Sequence, residues 1–125
     1  MKDSPFIPLQ IQGARCLDAF CRHHHLNHPA ISALITHLLS IASATDLPAW
    51  EQAGQLLPLN GRGDPWPTDL DAAIPEHLRA DFHRLVDHTV EISLSDYYGA
   101  TTSRPPEFYV SCLHLLKKHA VPVPE

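Results

Sequence analysis

The three cysteines, Cys16, Cys21 and Cys112, lack C-x-x-C spacing and are odd in number. That argues against a disulfide framework and points to free, mostly buried thiols in a reducing compartment. No apolar run reaches the roughly 18–20 residues that span a bilayer. The opening "MKDSPFIPLQ" has no long apolar core of the secretory kind. These gaps predict a cytoplasmic protein with no membrane partner. Positive charge is scarce too: nine Lys and Arg face fourteen Asp and Glu, a formal charge of −5. Phosphate contacts need a basic stripe, so nucleic acid is excluded as a partner. "GRG" is too short for a phosphate loop, and no Lys-Ser/Thr follows it. Nothing like G-x-S-x-G surrounds Ser93 or Ser95, which argues against a serine nucleophile. There is no repeat and no low-complexity segment. At 125 residues the chain reads as one domain, residues 1–125. A chain of this length buries roughly two-thirds of its unfolded surface, so no metal or disulfide is needed to fold it.

Proline and histidine are plentiful: twelve of one and ten of the other. The prolines punctuate the chain. Pro5 and Pro8 oppose helix and predict an extended lead-in over 1–12. A first helix runs from Ala14 to about His25, with Leu17, Phe20, Cys21 and His24 on one face. Pro29 opens a second helix from its favoured first-turn position, with Asn27 or His28 near the cap. Ile31, Leu34, Ile35, Leu38, Leu39 and Ala42 give it a broad apolar stripe. A short helix over Ala49–Leu57 would be anchored in the core by Trp50. Residues 58–67 form a central loop rich in Gly and Pro. Its "GRGDP" includes an Arg-Gly-Asp that reads as a plain turn. Thr68 caps a short turn through Ala73, and Pro75 starts a long helix.

The long segment carries two patterns. Leu78, Phe82, Leu85, Val86, Thr89 and Ile92 keep helical spacing. Val90, Ile92 and Leu94 also alternate as a strand would, with Ile7, Leu9 and Ile11 as an edge partner. The stripe from Asp87 through Val90 to Leu94, and Gly99 as a cap, favour helix. Ser103 caps a final helix in which Pro105 and Pro106 occupy the first turn. Lys117, Lys118 and His119 gather at its end, and 120–125 is an extended tail. The expected fold is all-α, an irregular bundle of about five helices. The alternative is α+β with a minor two-stranded edge.

"CRHHHLNHP" invites a metal reading, since His24 and His28 are four apart. Pro29 breaks that frame, and further ligands would have to come from Asp18 or His114 at a distance. A helix end rich in protonatable groups, favoured by the helix dipole, is the better reading, with no metal and no cofactor. His83 and Asp87 are spaced to pair along one helix face. Cys21 beside Arg22 and His23 is the sole candidate for an activated thiol. The more promising group is acidic and aromatic: Asp87, Glu91, Asp96, Tyr97, Tyr98 and Glu107. Acid with tyrosine suits a basic protein surface, through rigid apolar area and charge complementarity.

"TVEISLSDYYGATTSRPPEFYVSCLHLLKKHAVPVP" resembles the C-terminal part of small bacterial immunity proteins that accompany polymorphic toxins, including those of contact-dependent growth inhibition systems. The shared pattern is Val90-Glu91-Ile92, then Asp96-x-Tyr98-Gly99-Ala100, a serine and a closing amphipathic helix. It spans about a third of the chain. The resemblance implies a cytoplasmic, non-enzymatic protein that binds one cognate toxin domain and blocks it. Many such toxins are basic nucleases, which an acidic inhibitor complements. The alternatives are a helical module for another partner, including a homodimer through the long helix, and a histidine-based metal protein.

Overall fold

A computed structural model describes residues 6–60, 65–97 and 104–124, with side chains described for 7–60, 65–92 and 107–124. These residues form six α-helices: α1 (Phe6–His23), α2 (Pro29–Leu39), α3 (Leu47–Gln55), α4 (Thr68–Ala73), α5 (Glu76–Tyr97) and α6 (Arg104–Lys118). A 3-10 turn, Ser40–Ser43, extends α2. No strand occurs among the described residues. The fold is all-α, and the two-stranded alternative falls: Ile7, Leu9 and Ile11 lie in α1, while Val90, Ile92 and Leu94 lie in α5.

The start of α1 corrects the expected lead-in over 1–12. Pro8 is its third residue. The first four N–H groups of a helix have no intrahelical acceptor, so a proline there forfeits nothing. The gain is a whole extra turn of contact. Gln10 is fully buried, and its Nε2 donates to the Thr89 carbonyl at 2.8 Å. That carbonyl has a lone pair to spare in mid-helix. A Cβ on Gly13 would stand 2.7 Å from the Ile92 Cδ1 atom. Glycine therefore lets α1 and α5 approach closely here.

Three long helices make the core. α1 runs antiparallel to α5: Gln10 meets Thr89, and the Phe20 and Phe82 rings stack with centroids 6.2 Å apart. α6 is also antiparallel to α5. Its His119 end meets Asp81, and Thr89 Oγ1 lies 3.5 Å from Cys112 Sγ. So α1 and α6 run parallel, and their C-terminal ends arrive at one corner beside the first turns of α5. Phe20, Phe82, Leu17, Leu85, Ile92 and Leu116 are fully buried between them. Each such side chain contributes roughly 1.5–3 kcal/mol by leaving water.

The remaining elements wrap this trio. His28 caps α2: its Nδ1 accepts from the Ala30 N–H at 3.0 Å, with Pro29 the first helical residue. Asp46 does the same for α3, accepting from the Ala49 N–H at 3.1 Å. That cap starts α3 at Leu47, two residues before the expected Ala49. Trp50 is only half-buried. It packs against the edge of the core, stacks on His37 at 4.4 Å and donates to the His37 carbonyl, so it anchors α3 by way of α2. Leu59 of the central loop is fully buried. Thr68 is the first residue of α4, not its cap; Pro67 takes that position without a side-chain bond. Gly99 and Ser103, the expected caps of α5 and α6, lie outside the described residues.

Candidate functional site

The two ends of the α5–α6 pair differ in chemistry. At one end the second half of α5 lies beside the first half of α6, as the His88–Phe108 ring contact at 5.8 Å shows. Asp87 is exposed and Glu91 half-exposed, one turn apart on α5. Glu107 is exposed in the first turn of α6. Val110, one turn on, is 45% exposed. Desolvation raises the Asp87 carboxyl above its ordinary value, against the pull of His83 and His88. Glu91 and Glu107 thus fall at one end of one helix pair, with Asp87 at the middle of α5. The side chains of Asp96, Tyr97 and Tyr98 lie outside the described residues.

The opposite end is the histidine corner. α1 and α6 stop there in the same way. The Leu26 N–H donates back to the Cys21 carbonyl at 2.8 Å, and the His25 N–H to the Arg22 carbonyl at 3.3 Å. In α6 the Val121 N–H donates to the Leu116 carbonyl at 2.9 Å, and the Ala120 N–H to the Lys117 carbonyl at 3.1 Å. This double bond pattern is the Schellman motif, which needs one left-handed residue just past the helix. His25 and Ala120 supply it, each at φ 57°. Leu26 and Val121 then turn inward and are buried.

The cap residue of each motif is a histidine. His24 ends α1, His119 ends α6, and their rings meet edge to face with centroids 5.8 Å apart. Both rings also rest on Phe20, at 4.7 and 5.4 Å. The two partners are electrostatically unequal. His119 Nε2 lies 2.7 Å from Asp81 Oδ2. That carboxylate is buried, and it also takes Lys118 at 2.8 Å and Arg84 at 3.1 Å. The Lys118 ammonium above all, with His119 assisting against the cost of burial, holds the Asp81 carboxyl below the usual range. His24 has no such neighbour: its Nε2 is buried, and no described donor or acceptor reaches it. Burial lowers its basicity first, followed by His23, His119, His77 and His25.

Sequence reasoning placed both helix ends, at "CRHHHLNHP" and at His119, but missed that they share one motif. The signal was there to find: "CRHHHL" and "LKKHAV" both read apolar, basic, basic, His, x, apolar. The spacing of the two apolar residues is the Schellman spacing.

Two other histidines, His28 and His83, are held by structural contacts. His28 uses Nδ1 on its cap and sets Nε2 3.0 Å from Asp69 Oδ2, so it joins α2 to α4. Asp18, considered as a distant ligand, pairs instead with Arg22 at 2.9 Å. His83 turns away from the expected Asp87: its Nε2 meets Asp71 Oδ1 at 3.1 Å, while Trp66 stacks on its face at 3.5 Å. No group of three or more His, Cys, Asp and Glu fit for a metal occurs among the described residues. The cysteines are free and buried. Burial pushes Cys16 and Cys21 up to about 12 and Cys112 to about 11. Arg22 and His23 do not rescue Cys21 as a thiolate, because desolvation dominates and Asp18 adds to it.

No helix among the described residues is long and apolar enough to cross a membrane. No family model, no curated protein and no solved structure matches the chain.

Proposed function

We propose that this chain is an immunity-type protein that binds a cognate bacterial toxin domain by direct contact and neutralises it without catalysis. The observation that carries the reading is the acidic end of the α5–α6 pair. Glu107 and Val110 share the solvent side of α6, and Asp87 and Glu91 follow one another on the neighbouring half of α5. An apolar spot beside several carboxylates is the composition of a site for a basic protein surface. The apolar part gives area that loses water on contact; the acids steer encounter and reject acidic partners. The sequence continues the same chemistry through Asp96, Tyr97 and Tyr98. The net charge of −5 adds a favourable long-range field for a basic toxin. Rigid helices suit the task, since little ordering is required on binding.

The test is binding to the toxin domain encoded beside this chain, measured by calorimetry or surface kinetics. Nanomolar affinity is expected for wild type. Glu91→Lys and Glu107→Lys should each weaken it about tenfold or more, largely through slower association at low salt. Unchanged affinity in both variants would discard this surface. Absence of binding by wild type would discard the toxin-neutralising role itself.

A further inference from the structure

We propose that the paired ends of α1 and α6 form an acid-operated latch: protonation of His24 parts the two helix ends and frees the residues after them. The inference stands on the corner's geometry and is independent of what the acidic end binds.

The latch has three components. The first is the joint. His24 and His119 touch each other and share Phe20, so the two Schellman turns are held through one aromatic cluster. The second is an unmet need. An imidazolium carries an N–H on both nitrogens. In His24 one of these would be a buried, charged donor with no described acceptor. A buried charge without a partner is among the costliest arrangements in a fold. The third is the absence of relief nearby. The groups facing His24 are His23 and His25 from its own turn, His77 from the first turn of α5, and His119 from the end of α6. None of them is an anion. The corner's buried carboxylate, Asp81 of α5, is already shared by His119, Lys118 and Arg84. Asp18 is held by Arg22. Two of the carbonyls that end each helix, which would otherwise welcome a cation, accept the Schellman N–H groups instead.

The two caps therefore differ in their surroundings. His119 lies against a carboxylate. His24 has only other imidazoles around it. The way out for a charged His24 is to swing to solvent. That move takes the ring off Phe20 and His119 and loosens the turn at His25, which is already strained by its left-handed backbone. The sign follows from linkage. A basic group held below its ordinary value binds fewer protons folded than open. The closed latch is thus fully stable above about pH 6.5 and weakens as pH falls toward the folded value of His24.

Amide hydrogen exchange at Leu26 and Val121, the donors that close the two turns, reads the latch directly. Protection, corrected for intrinsic exchange, is compared at about pH 7.5 and about pH 5.5, with a loss of up to about tenfold expected over the one unit below the open-state value. In His24→Phe, which keeps an aromatic ring and removes the proton site, protection should not change between the two conditions. Equal protection of wild type at both conditions, or an equal loss in His24→Phe, would overturn the latch. Should His24→Phe not fold, the His24 ring is titrated by NMR in wild type. A midpoint well below 6.5, with amide loss falling between 6.5 and that midpoint, upholds the proposal. A midpoint at or above 6.5, or amide loss that tracks another group, overturns it.

Discussion

Helix α5 has two ends built on opposite principles. At the corner where it begins, charge is turned inward: a buried carboxylate meets His119, Lys118 and Arg84, and two histidine caps close over Phe20. Toward its other end, charge is turned outward: Asp87, Glu91 and Glu107 stand at solvent or half in it. The first arrangement stabilises the fold and offers little to a partner. The second places its charge where it acts at a distance on a partner. The difference predicts that substitutions at the corner will register in stability, and those at the acidic end in binding.

The sharpest test of the corner removes its shared support. Phe20 is fully buried and touches Phe82, His24 and His119. Phe20→Ala should cost about 3–5 kcal/mol in urea unfolding, as core phenylalanine truncations do. A loss under about 1 kcal/mol would mean the corner is not packed as described.

Asp81→Asn comes next. It should cost about 2 kcal/mol near neutral pH, the scale of hydrogen bonds to a charged group. The effect should depend on pH in a fixed direction. A carboxyl held below its ordinary 3.8 by Lys118 and His119 stabilises the fold above that value. That contribution disappears as pH falls through the folded value, so wild type and variant should converge in acid. A difference that persists there would make the aspartate's role one of shape and not of charge.

These two residues also show what the sequence could reveal and where it stopped. Local chemistry was legible. Pro29 and His28 marked the start of α2, and a helical stripe from Leu78 to Ile92 outweighed the alternation that suggested a strand. Local penalties were overread where a helix end cancels them: Pro8 looked like a breaker and sits where its missing N–H is never used. Long-range pairing was not legible. The i, i+4 rule joined His83 to Asp87, but tertiary packing brought Asp71 to it from another helix. His119 and Asp81 lie 38 residues apart, and His28 and Asp69 lie 41 apart. No local period encodes such meetings. The acidic residues were visible as types, and their gathering at one end became visible only once α5 and α6 were seen to be antiparallel.

A smaller effect, of opposite sign, tests the turns themselves. His25 and Ala120 adopt a conformation that costs a residue with a Cβ roughly 1–2 kcal/mol. Glycine removes that strain but adds freedom to the unfolded chain, worth about 0.5–1 kcal/mol. His25→Gly and Ala120→Gly should therefore each raise stability by about 0.5–1 kcal/mol. Because the turns share one corner, the double variant is informative. Additive gains would mean two independent caps, whereas a shortfall or excess beyond about 0.5 kcal/mol would mean coupled ones.

The smallest expected stability change lies at the acidic end, and there a near-zero result carries the most weight. Glu91→Lys and Glu107→Lys alter charges that solvent already screens, so each should stay within about 0.5 kcal/mol of wild type in unfolding. If binding to the toxin domain falls while stability holds, the two ends of the helix pair are separable: one maintains the fold and the other meets the partner. If instead Glu91→Lys destabilises the chain by more than about 1 kcal/mol, its carboxylate is structural. The contrast between the ends would then narrow to Glu107 and Val110 on the outer face of α6.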